Sequence, residues 1–71
     1  MMDYRKVAAN FVIIGDCKLH PAVVEISEGR VVNYYEFSDE LPMTEWIGGT
    51  VILQRDRENI LRAYKDAQII E

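Results

Sequence analysis

From Tyr4 to Gly15 the chain alternates. Val7, Ala9, Phe11 and Ile13 fall on one face at period two; Lys6, Ala8 and Asn10 fall on the other, which turns apolar at Val12 and Ile14. Period two is the signature of a strand packed on one face. The apolar end predicts burial on both faces. Gly15-Asp16 signals a turn, and Pro21 stands at the edge of the next strand, where a missing N–H does least harm.

Two β-rich runs follow, Ala22–Ile26 and Arg30–Phe37, joined through Ser27-Glu28-Gly29. A three-residue loop, a type I turn closed by Gly29 in the left-handed region, is expected. It sets Ile26 opposite Arg30, Val24 opposite Val32 and Ala22 opposite Tyr34. A two-residue Glu28-Gly29 loop would instead set Val24 opposite Asn33, an amide among apolar groups. Tyr34 and Tyr35 point to opposite faces. Ser38–Pro42 reads as a polar loop or a single helical turn. Trp46–Gln54 reads as a strand in which Gly48-Gly49 marks a bulge, a bend or a close backbone approach.

The period then changes. Asp56 is placed as an N-cap, and Ile60, Leu61, Tyr64 and Ala67 fall at helical spacing. Glu58 with Arg62, and Arg62 with Asp66, are opposite charges four apart. A helix to about Gln68 is expected, with Ile69 and Ile70 docking on the sheet or a second subunit rather than fraying. The fold class so read is α+β, mainly β. It is a single domain, 1–71: a small twisted antiparallel sheet of about four strands, β-sandwich-like, with one C-terminal amphipathic helix. The uncovered face of that sheet would keep some of Val12, Ile14, Val31 and Tyr35, which a second copy could cover.

Size sharpens that last point. A chain of 71 residues draws only a few kcal/mol from its core and usually needs a staple. With Cys17 as the lone cysteine, no disulfide forms within the chain, and a reducing compartment is implied. A hydrophobic fraction of 49% argues against disorder. Self-association, as a dimer, is the expected staple. The net charge of −4 and the scattered bases disfavour nucleic acid. No apolar run approaches the roughly 18 residues that span a bilayer, and no secretory h-region is visible. The expectation is a cytoplasmic protein with no membrane partner.

Candidate chemistry is sparse. Cys17 and His20, with Asp16 beside them, are one thiol and one imidazole where a structural zinc wants four ligands, mostly Cys and His. As a nucleophile and base they lack a third residue to orient the imidazole. Asp39-Glu40 sits in a solvated loop, where acid–base work finds no shifted pKa. Gly48-Gly49-Thr50 lacks the Lys and the following helix of a phosphate loop. Tyr34, Tyr35, Phe37 and Trp46 read first as packing and cross-strand aromatics. No catalytic, cofactor-binding or metal-ligating residue is assigned.

The order Val7–Val12, then Ala22–Val32 with its Glu28-Gly29-Arg30 turn, then Trp46–Leu53, resembles the N-terminal small β-sandwich part of the metal-dependent amidohydrolases. The resemblance covers residues 4 to about 53. In that family the last strand leads to Pro-Gly and then to a His-x-His that binds the catalytic metal on a (β/α)₈ barrel. Here Leu53 is followed by Gln54-Arg55-Asp56-Arg57, and His20 is the only histidine. The resemblance therefore implies a scaffold and carries over no functional residue.

Three functions are expected from different classes. The first is a non-catalytic, self-associating structural or interaction domain, with an unidentified protein partner as a further option. The second is a ligand-binding or enzymatic protein with a site between subunits, walled by Tyr34, Tyr35, Trp46, Cys17 and His20. The third is an accessory subunit of a larger enzyme.

Overall fold

The structure, a computed structural model, describes residues 4–39 and 41–71. Those residues form strands β1 (Tyr4–Ala9), β2 (Phe11–Ile14), β3 (Cys17–Leu19), β4 (Ala22–Ser27), β5 (Arg30–Glu36), β6 (Glu45–Trp46), β7 (Thr50–Arg55), β8 (Leu61–Lys65) and β9 (Gln68–Ile70). They assemble into a four-stranded sheet, order β5-β4-β1-β6, and a five-stranded sheet, order β3-β2-β7-β8-β9. Both are mixed, because β1 pairs with β6 and β2 with β7 in parallel. The molecule measures 34 × 33 × 19 Å. The short dimension suits two sheets packed about 10 Å apart plus their outer side chains.

The fold is all-β, which corrects the expected α+β class with its C-terminal helix. No helix occurs among the described residues. Leu61–Lys65 and Gln68–Ile70 form a hairpin that closes on Asp66-Ala67 with Lys65 opposite Gln68. Asp66 and Ala67 have φ of 53° and 66°, the double positive φ of a tight hairpin turn. Asp56 does cap backbone N–H groups, but across a turn: its Oδ1 accepts from Glu58 (2.8 Å) and Ile60 (3.0 Å), and Asn59 takes φ 65°. Arg62 joins neither Glu58 nor Asp66 as the helical spacing required. Its Nε donates to Asp56 (3.0 Å) and its Nη1 to the Gly29 carbonyl (2.7 Å). The helical stripe was a coincidence of spacing. Leu61 and Ala63 satisfy period two equally, and a neighbouring strand edge at β7 decided the outcome.

The predicted long strand Tyr4–Gly15 is two strands in two sheets. The chain crosses between them at Asn10, and β6–β7 crosses beside it at Gly48-Gly49. At this corner Ile47 and Gly48 both donate to the Ala8 carbonyl (2.9 and 3.3 Å), and Phe11 donates to that of Gly49 (3.0 Å). Asn10 Oδ1 accepts the Gly49 N–H at 2.8 Å. Both glycines have φ 67°, a conformation that costs a residue with a Cβ roughly 1–2 kcal/mol. The crossing also shifts the alternation by one. Val7 and Ala9 enter the core before it, Val12 and Ile14 after it. Phe11 and Ile13, expected beside Val7 and Ala9, therefore lie on the other face.

In the β4–β5 hairpin the loop has two residues, Glu28 (φ 53°) and Gly29 (φ 77°), with Ser27 opposite Arg30. Ile26 pairs with Val31, not Arg30, and Ala22 with Glu36, not Tyr34. The objection to this loop was that Asn33 would meet Val24. A bulge removes it: the register shifts between Glu25 and Ile26, so Asn33 pairs with Glu25 and Tyr34 with Val24. Val32 is the extra residue and is exposed.

The core lies between the sheets: Val7, Ala9, Ala22, Val24 and Ile26 from one, Val12, Val51, Leu53, Ala63 and Ile70 from the other. Ile14 and Val31 pack against it. The chain's own second sheet thus covers Val12, Ile14 and Val31, which a second copy was expected to cover, and leaves Tyr35 on the outer face.

Candidate functional site

Small residues open a trough on the outer face of the four-stranded sheet. Tyr35, Val23, Ala8 and Trp46 stand in one cross-strand row on β5, β4, β1 and β6. The middle two are fully buried and short, while the Trp46 side chain is 58% exposed. Phe37, Leu41 and Thr44, from the segment after β5, complete a cavity of about 180 Å³ with Ala8 as floor and Trp46 as wall. That segment is non-regular, as its Ser38-Asp39 and Pro42 suggest, and Glu40 lies outside the described residues. Thr44 Oγ1 donates to the Pro42 carbonyl (3.1 Å), and Met43 holds φ 57° with its side chain 94% exposed.

Beside the trough, Tyr35 donates its hydroxyl to Glu25 Oε2 at 2.8 Å. That hydrogen bond, with burial and the carboxylate's charge, holds the Tyr35 phenol above its ordinary pKa. Tyr4 is raised as well, by burial first and then by Glu25. The Tyr35–Glu25 bond ties β5 to β4 on their outer face.

The outer face of the five-stranded sheet is bare. Lys18, Ile13, Ile52, Tyr64 and Ile69 stand in register across all five strands. Ile52 is 46% and Ile69 42% exposed. Phe11 adjoins the row, its ring stacked on His20 at 4.4 Å with Lys18 Nζ 4.4 Å from its centroid. Of the terminal isoleucines, Ile70 docks in the core as expected and Ile69 belongs to this outer row.

The expected subunit-interface wall of Tyr34, Tyr35, Trp46, Cys17 and His20 is not brought together. Tyr34 and Tyr35 oppose Val24 and Val23 on opposite faces, and Tyr35 and Trp46 end one row on the four-stranded sheet. Cys17 is exposed on β3 opposite Ile14, on the core-facing side, while His20 stacks on Phe11 on the outer side. The His20 N–H donates to Glu36 Oε2 (3.1 Å). Strand geometry thus separates the thiol from the imidazole. Among the described residues no three His, Cys, Asp or Glu side chains cluster as metal ligands do.

A second depression, of about 330 Å³, lies at the sandwich end among Arg5, Ile47, Lys65, Gln68 and Ile70. Its cations are engaged: Arg5 Nη2 reaches both Glu45 oxygens (2.9 and 3.0 Å), and Lys65 Nζ donates to the Ile47 carbonyl (2.9 Å). The first contact joins neighbouring strands of one sheet, β1 and β6; the second ties β8 of the other sheet to the segment that follows β6. Among the described residues no helix is long and apolar enough to cross a membrane.

No family model matches the chain, and no curated protein matches it. Among solved structures it is similar to N-acetyl-D-glucosamine-6-phosphate deacetylase from Mycobacterium smegmatis, an amidohydrolase, determined as a mutant in complex with N-acetyl-D-glucosamine-6-phosphate. The TM-score is 0.55 at 22% identity, over 70% of this chain and 13% of that one. The likeness bears out the resemblance drawn from the hairpin and its neighbours, at the level of fold: this chain has the architecture of a small β-rich part of an amidohydrolase.

Proposed function

We propose that the chain is a non-catalytic β-scaffold domain that associates with a second copy of itself in the cytoplasm. The observation that carries this reading is the row Ile13, Ile52, Tyr64, Ile69 on the outer face of the five-stranded sheet. In a chain with 12 acidic residues, none stands on β2, β3, β7, β8 or β9, although Asp56 and Asp66 follow β7 and β8 directly. A face both apolar and free of carboxylates is suited to burial.

The row is centred on Ile52 in the middle strand of five, which suits an isologous contact. A two-fold axis along β7 sets Ile52 on its own copy and Ile13 on the partner's Tyr64, and moves the two Lys18 side chains to opposite edges. An axis across the strands would stack Lys18 on Lys18, a like-charge contact. The lone exposed cysteine fits a reducing compartment. Light scattering after size exclusion tests the association: over micromolar concentrations the mass rises from one chain toward two. A single-chain mass throughout overturns it.

A further inference from the structure

The two sheets end in four edge strands among the described residues. Three are short: β3 and β9 have three residues each and β6 has two. Short edges offer few groups for another strand to pair with. The fourth, β5, has seven residues. Between Arg30 and Glu36 it reads Val31-Val32-Asn33-Tyr34-Tyr35, β-branched and aromatic apart from Asn33 and free of proline. A long exposed edge of that composition tends to add further strands. We infer that Asn33 guards this edge against a second copy of the chain: its side-chain oxygen occupies the N–H through which two β5 strands would otherwise pair.

The register decides which groups face outward. Phe37 donates to the Pro21 carbonyl at 3.3 Å, continuing the pairing of Ala22 with Glu36. Phe37 and Pro21 are thus a hydrogen-bonded pair, and in an antiparallel ladder such pairs recur at every second residue. Tyr35 and Asn33 therefore turn their N–H groups toward β4, opposite Val23 and Glu25. Tyr34 and Glu36 turn theirs to the free edge. Toward Arg30 the bulge at Val32 interrupts the strand, so the regular part of the edge is residues 33–36. Within it the outward Tyr34 N–H is already engaged, donating to Asn33 Oδ1 at 2.9 Å. An added strand has to displace that oxygen before its own carbonyl can accept the bond.

The same register makes a second β5 the matching intruder. Laid antiparallel with Tyr34 opposite its own copy, the two strands exchange the Tyr34 N–H and C=O groups reciprocally across a two-fold axis. Glu36 then stands opposite the partner's Val32 and Asn33 opposite the partner's Tyr35, so no like charges meet. Val32 and Tyr34, 57% and 38% exposed, are covered in the process. Nothing but the Asn33 oxygen holds the central donor away from this pairing. The edge lies on the four-stranded sheet, so the inference is independent of the contact proposed for the outer face of the other sheet.

The test is made in the full chain carrying Ile52→Glu, which removes any association through the outer row, so that a change in mass reports on β5 alone. Light scattering after size exclusion is run over micromolar concentrations. Adding Asn33→Ala, at an exposed position, should double the mass relative to Ile52→Glu alone. Hydrogen exchange should slow at residues 33–36 as concentration rises and stay unchanged in the other strands. Asn33→Val, a strong strand former without an acceptor, should act in the same way. Asn33→Asp, which keeps the acceptor, should leave the mass unchanged. Tyr34→Pro added to Asn33→Ala deletes the outward N–H at an edge position open to proline, and should reverse the pairing. An unchanged mass for both Asn33→Ala and Asn33→Val, equal pairing by Asn33→Asp, or pairing that Tyr34→Pro leaves in place overturns the inference. The parent chain, run alongside without Ile52→Glu, reports separately on the outer row.

Discussion

Asp56 shows how one side chain sets a local structure. Its carboxylate accepts from the backbone of Glu58 and Ile60 and from the Arg62 guanidinium. The Ile60 N–H foremost, then Arg62, hold the acid below its ordinary pKa, against partial burial, which raises it. The linkage sign follows. A carboxyl with a depressed folded pKa stabilises fully above its unfolded value of about 3.9 and loses that contribution as pH falls through the folded value. Asp56→Ala should lower the melting temperature at neutral pH and flatten its acid limb. Asp56→Asn, which keeps an acceptor and loses the ion pair, should fall between. Thermal melts from neutral pH to about pH 2 check both; a parent-like Asp56→Ala would remove the carboxylate from the account. The capping role was legible in the sequence. What followed the cap was not, because an Asx turn and a helix N-terminus use the same acceptor.

At the scale of elements, the hairpins and the corner differ in how plainly they announce themselves. Gly48-Gly49 marked a bend correctly, yet its partner Asn10 carried no signal, since its acceptor matters only once Gly49 lies beside it. The β4–β5 hairpin was readable but its loop was not: the three-residue Ser27-Glu28-Gly29 loop is favoured until the bulge that makes a two-residue Glu28-Gly29 loop workable is known, and that bulge depends on the two faces of β4. The β8–β9 turn was hidden, because Asp66-Ala67 contains a good helix former where Asn-Gly would have been explicit. Ala67→Gly separates the two readings by sign. In a helix it would destabilise by about 1 kcal/mol. In a turn that holds Ala67 at φ 66° it should stabilise by about 1 kcal/mol, through relief of left-handed strain. Denaturant midpoints decide between them.

For the whole molecule, the second sheet changes what a 71-residue chain needs. Some of Val12, Ile14, Val31 and Tyr35 were expected to leave an apolar face for a partner; the five-stranded sheet and the hairpin bulge place the first three in or against one core, while Tyr35 stays on the outer face. The outer row on that sheet is a separate surface that a helical reading of residues 61–70 hides, because Ile52, Tyr64 and Ile69 align only in the sheet register. We propose it as a two-fold contact between copies of this chain. Cys17, single and exposed on the edge strand β3, takes one spin label per chain without any substitution. Pulsed dipolar spectroscopy then measures the distance between labels in two associated copies. An axis along β7 carries the two β3 strands to opposite edges, and predicts a separation of about 20–30 Å from five strands spaced about 4.8 Å apart, abolished by Ile52→Glu. No dipolar coupling between chains, or coupling that persists unchanged in Ile52→Glu, would contradict it.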